Sequence, residues 1–276
     1  MRDIKNKLTS GKNTKNIKNR RGKSFGYQVL GFGAGGTAAS FVTATGGNVA
    51  TCGDFKIHTF TGPGTFCVSD AGSEGGSNTF AYVVVGGGAG ANSGNVSNGG
   101  GGGGGGGVVC VTSSPASAGG FPISVGAGGA GGEHPTAPVS TPPAYGAAGS
   151  NSTGFCSTGG GAPFHRCHAP GPSARAKGAG PSGSPQCNAR GTFSPRGGAG
   201  GGGAGAVGGD SPGNAQGGAG GAGLSSPINC STYAGGGGGA GWNTGSGSGA
   251  GGPGGGGAGG CGGAGSNGST NTGGGG

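Results

Sequence analysis

Nine consecutive glycines, Gly99 to Gly107, run directly into the β-branched stretch Val108-Val109-Cys110-Val111. An interior Gly costs about 0.5–1 kcal/mol relative to Ala in a helix or strand. Such a tract therefore either never orders or orders in a form that needs no side chains. The run is the extreme of a general bias, since 87 of 276 residues are Gly while hydrophobic residues reach only 29% and aromatics 6%. That composition puts a conventional apolar core out of reach. Collagen is excluded, because the Gly spacing slips and 16 Pro are too few. A flexible linker does not account for the eight Cys, Trp242, Tyr233, Phe193 and the valines set among the glycines.

A period of three runs through the glycine-rich part. Between 202 and 223 every third position reads Gly202, Gly205, Gly208, Ser211, Asn214, Gly217, Gly220, Gly223. A second register begins Gly236, Gly239, Trp242, Gly245 and continues to Gly263. An extended left-handed helix of the polyproline type has three residues per turn and no internal hydrogen bonds. With Gly at the facing positions, neighbouring helices approach until the backbone N–H of one reaches the C=O of the next, which satisfies the obligatory backbone groups. Such a polyglycine II lattice needs almost no side-chain core. At a net of about 1 kcal/mol each, many such bonds offset the ordering entropy.

The other half of the expectation is β-structure. Residues 53–69 alternate Phe55, Ile57 and Thr59 with Lys56, His58 and Phe60, then carry turn chemistry at Thr61-Gly62-Pro63-Gly64, then resume alternation. The pattern predicts a hairpin with Phe60 paired to Thr65, Thr59 to Phe66 and Ile57 to Val68, leaving His58 opposite Cys67. Further strands are predicted in 24–36, 78–88, 107–113 and 121–129, all short, β-branched or aromatic, and bounded by Gly or Pro. No segment beyond the first residues shows a helical period. The predicted fold class is all-β: a small β-sandwich or hairpin layer followed by a glycine-rich region of polyglycine II helices, with negligible α-helix. Three regions follow: a basic arm at 1–24, a β-rich domain at 25–130, and a glycine-rich region with loops at 131–276.

Charge is concentrated in the arm. The formal charge of the chain is +9, and residues 1–24 hold nine Lys/Arg against one Asp. The arm, with Lys18, Arg20, Arg21 and Lys23 at its end, suits an acidic docking surface. The body lacks the basic aromatic platform of single-strand binders, so nucleic acid is not the expected partner. No run of apolar residues is long enough to span a membrane, and no secretory h-region follows the basic residues. The cysteines fit no CxxC knuckle; His165, Cys167 and His168 cluster, but without the paired spacing of a zinc site. Free thiols or a few disulfides are both compatible with the count. Gly31-x-Gly33-x-x-Gly36 matches a dinucleotide loop by spacing alone, with no helix pattern after it. Six scattered acidic residues and the absence of a GxSxG or HExxH string point away from catalysis. No metal or cofactor is expected.

The strings "GGNVATCGDFKIHTFTGPGTFCVSDAG" and "NTFAYVVVGGGAG" resemble the glycine-rich domain of tailed-phage virion proteins, and "FGYQVLGFGAGG" is similar to virion structural proteins of marine phages. The resemblance covers roughly residues 25–130, with Cys52 and Cys67 standing where the family has small hydroxyl residues. It implies a virion component, a tail fibre or fibre-tip adhesin, made in the host cytoplasm and exposed on the released particle. Its implied partners are other virion proteins, further copies of itself and a bacterial surface receptor. The loops interrupting the glycines, 134–146, 164–178 and 225–235, place the candidate receptor contacts at Tyr145, Phe164, His165, Arg175, Phe193 and Tyr233. Two alternatives stand beside this reading: a capsid-associated decoration protein docked by the arm, and an ice-binding polyglycine II protein.

Overall fold

A computed structural model describes residues 39–94, 99–133, 145–154, 196–213, 215–244 and 246–276. The predicted strand at 24–36 and the basic arm lie outside them. The described chain is all-β and extended, with no helix.

Its strands are β1 (Val42–Thr45), β2 (Asn48–Cys52), β3 (Phe55–Thr59), β4 (Gly64–Ala71), β5 (Thr79–Val85), β6 (Val108–Pro115), β7 (Gly119–Ile123), β8 (Leu224–Ser225) and β9 (Thr232–Tyr233). They form one three-stranded sheet, β1-β4-β7, and three two-stranded sheets, β2-β3, β5-β6 and β8-β9. The predicted segments at 78–88 and 107–113 correspond to β5 and β6; of the strand expected over 121–129 only the first three residues lie in β7, and the rest belongs to an extended thread.

The predicted hairpin at 53–69 does not form. Its first strand, β3, pairs with β2 across the two-residue turn Gly53-Asp54, with Cys52 opposite Phe55 and Val49 opposite His58. Gly53 adopts φ +58, a left-handed value that two-residue hairpin loops require. Its second strand, β4, pairs with β1 and β7, so that Phe66 meets Phe121 and Cys67 lies between Thr45 and Gly120. Thr61-Gly62-Pro63 thus turns a corner between two sheets rather than closing one. Alternation around turn residues looks the same in both cases, and only the availability of β2 as a nearer partner decides between them. His58 is held at the corner: its Nδ1 lies 2.8 Å from the Gly46 carbonyl, and its ring stands edge-on to Phe66 at 5.2 Å.

Beyond β5 the chain becomes a bundle of extended threads. The β5-β6 ladder ends at Val85 opposite Val108, and the next bond, Gly86 N–H to the Gly107 carbonyl at 2.8 Å, already belongs to the bundle. Ala89 to Gly104 and Asn92 to Gly101 continue it at every third residue. The valines are where the chain is a ladder with side chains on both faces. The glycines are where it becomes a thread that touches neighbours all round.

Thread 234–241 shows the lattice most completely. Gly235, Gly238 and Gly241 donate to Gly254, Gly257 and Gly260; Gly236 and Gly239 donate to Gly221 and Gly218; Gly237 and Ala240 donate to Gly103 and Gly100. Its carbonyls accept from Ala204, Gly201 and Gly198 on one neighbour, from Gly252 and Gly249 on another, and from Gly275 on a third. The three residue phases therefore each send N–H groups in their own direction, and three further threads fill the gaps. In each of these period-three contacts one thread donates throughout and the other accepts.

A Cβ added at Gly102 would overlap the Gly237 carbonyl, at Gly105 that of Ala234, and at Gly103 and Gly106 those of Ala89 and Gly86. Two phases of the nine-glycine run are thus required by two different neighbours. The core has two parts: Phe66 and Val68 of β4 are buried, with His58, Phe60 and Phe80 around the Phe66 ring, and a second cluster sits where ladder and bundle meet. Val108, Ala204 and Ala234 are buried, with Val83, Val85, Cys110, Leu224 and Tyr233 packed against them.

Candidate functional site

The bundle has two unlike ends. Threads 86–94 and 125–133 run away from the β-sheets, while 99–107, 145–152 and 196–204 run back toward them, as their parallel and antiparallel hydrogen bonds require. One end therefore carries β5, β6 and the β8-β9 hairpin. The opposite end gathers Asn92, Gly99, Tyr145, Arg196, Trp242 and Cys261.

At that opposite end, thread 196–204 begins and thread 234–241 finishes. Arg196 adopts φ +74 and lays its guanidinium over the Trp242 ring, 4.5 Å from its centroid. The Trp242 N–H donates to the Ala215 carbonyl at 2.9 Å. Beside it the half-buried Cys261 thiol donates to the Ser246 carbonyl, 2.6 Å away, and the Ser246 hydroxyl donates to Asn243 Oδ1 at 2.8 Å. Tyr145 is 53% exposed, and the next residue, Gly146, donates to Asn92 Oδ1 at 3.0 Å. This end thus carries a cation–aromatic pair with amide groups beside it and, on a separate thread, the exposed Tyr145, groups suited to binding by stacking and hydrogen bonds.

Tyr233 lies at the other end. It belongs to β9, packs against the buried cluster, and its hydroxyl accepts from Asn229 Nδ2 at 2.8 Å. The structure therefore places Tyr145 and Tyr233 on different surfaces. Phe164, His165, Arg175 and Phe193 lie outside the described residues, as do Lys18, Arg20, Arg21 and Lys23 and the cluster of His165, Cys167 and His168.

Sequence reasoning passed over Trp242 and Arg196 as a pair. The signal was present, since Trp242 is the one bulky residue in its period-three register, but its partner is 46 residues away along the chain. Among the described residues, no three His, Cys, Asp or Glu side chains converge as metal ligands, and Cys52, Cys67, Cys110, Cys230 and Cys261 are free thiols. No helix among them is long and apolar enough to cross a membrane.

A family model described as a glycine-rich domain matches residues 61–276. The chain belongs to the glycine-rich domain family. Neither the curated proteins nor the solved structures contain a match to it. The glycine-rich domain so defined starts at the corner before β4 and takes in the whole bundle. The family speaks to the glycine-rich architecture and not to phage tails.

Proposed function

We propose that this glycine-rich domain protein is a structural component of a bacteriophage virion, a tail fibre or fibre-tip adhesin that contacts the host surface and has no catalytic role. The observation that carries the reading is the two-ended bundle. A scaffold cross-linked by backbone amides presents Arg196, Trp242 and Tyr145 at one end and β-sheets at the other. Recognition groups on a rigid support lose little freedom on binding, and attachment through the opposite end leaves them facing outward. The strings around 47–90 that resemble phage virion proteins supply the particle context. In this reading the protein is made in the host cytoplasm, assembles with other virion proteins and further copies of itself, and meets a bacterial surface receptor.

Mass spectrometry of purified particles, followed by binding of the purified protein to host cells, tests the proposal. The protein is expected in the particle, and an excess of it should block adsorption. Absence from particles would remove the reading. Presence in particles without any effect on adsorption, and density at the head, would replace it with a capsid-associated protein held by Lys18, Arg20, Arg21 and Lys23.

A further inference from the structure

The thread 125–133 has part of its backbone unmet by the described residues, and we propose that this edge receives a glycine thread from a second copy of the chain. Along it Gly129 and Gly132 donate to Gly88 and Ala91, while Ala127 and Ala130 accept from Ser150 and Ala147. Among the described residues, no backbone acceptor meets the N–H groups of Ala127, Gly128, Ala130 and Gly131. All four residues are exposed. They occupy two of the three phases, so two positions beside this thread that are filled around thread 234–241 are not filled by any of the described residues.

Gly128 and Gly131 narrow the choice of occupant. A Cβ at Gly128 would lie 3.7 Å from the Gly88 carbonyl oxygen, and one at Gly131 would lie 3.9 Å from that of Ala91. Both are ordinary contacts. Packing among the described residues thus does not demand glycine at either position, in contrast to Gly126 and Gly129 on the same thread, where a Cβ would overlap the Ser150 and Ala147 carbonyls. Two outward glycines three residues apart, with free donors beside them, are what an approaching thread needs in order to close to hydrogen-bonding distance. An incoming chain must itself lack side chains at every third position, because the internal contacts reject a Cβ. A chain with 87 glycines supplies such threads.

This is edge-strand augmentation transposed from a β-ladder to a polyglycine lattice. Since each internal contact of the lattice runs from a donating thread to an accepting one, thread 125–133 does not pair with its own copy across a twofold axis but meets a different, accepting thread of the second molecule. Such a contact joins unlike threads, and it closes as a dimer or extends into a ring or filament according to the rotation between copies. It does not depend on the virion reading and is tested on the purified full chain alone.

The test is analytical ultracentrifugation of wild type and the double variant Gly128→Val/Gly131→Val across a range of concentrations, with amide exchange of residues 234–241 as the control for folding. Wild type should associate as concentration rises, and the double variant should associate at least about tenfold more weakly with unchanged exchange in the central thread. In wild type, exchange at 127–131 should also slow with concentration, a readout independent of any substitution. Wild type that stays monomeric, association that is equal in the variant, or exchange at 127–131 that ignores concentration would each overturn the proposal.

Discussion

At Gly236 a methyl group would overlap the Gly201 carbonyl, whereas at Gly128 it would meet a carbonyl at 3.7 Å. Gly236→Ala is therefore expected to cost about 1–3 kcal/mol, the range for overpacking a site that has little room to relax. Gly128→Ala should stay within about 0.5 kcal/mol, as surface substitutions usually do. Denaturant unfolding of the two variants checks the contrast. At Tyr82, in β5, burial raises the phenol above its ordinary value of 10.0. The neutral form is then favoured in the folded chain, so this contribution is fully present below the unfolded-state pKa and is lost as pH rises through the folded one. Unfolding midpoints should fall on the alkaline side of about pH 10, and Tyr82→Phe should flatten that fall.

Among the elements, β8-β9 is the smallest sheet, joined by Leu224 opposite Tyr233 and Ser225 opposite Thr232. Two residue pairs do not hold a hairpin in water, so its anchor is the packing of Leu224 and Tyr233 on Val108, Ala204 and Ala234. Tyr233→Ala is expected to lower stability by about 2–3 kcal/mol, at or just below the range for truncating a buried aromatic because the ring is only half-buried. Tyr233→Phe, which loses only the bond from Asn229, should cost at most about 1 kcal/mol; thermal melts of both distinguish a packing role from a binding one. At the element scale β5 and β6 were legible, because Val83-Val84-Val85 and Val108-Val109 carry their own strand signal beside glycine. The pairing of β3 was not legible. Phe55 to Thr59 alternates as well against β2 as against β4, and the exposed Phe55 and Ile57, 75% and 44% accessible, show that apolar matching did not set the register.

Across the whole molecule, stability should follow position in the lattice. Amides of 234–241, which donate in three directions within the bundle, should exchange slowest, and those of 127, 128, 130 and 131 fastest among the threads; hydrogen exchange with mass spectrometry reads this order directly. A uniform rate would mean that the threads open independently. The Arg196 and Trp242 pair closes the end of the bundle, so Arg196→Ala should cost about 0.5–1 kcal/mol and shift the fluorescence of Trp242, the one tryptophan in the chain. Glycine at every third residue and the lack of any helical period determined that the chain would be extended and that its order would come from backbone bonds, since no other groups are numerous enough to supply it. Which thread neighbours which, which end carries Tyr145 with Trp242, and which glycines are buried were decided only in three dimensions. The physical reason is that glycine threads are nearly identical to one another, so their neighbours are chosen by the few side chains that anchor the sheets and by the lengths of the connections between them.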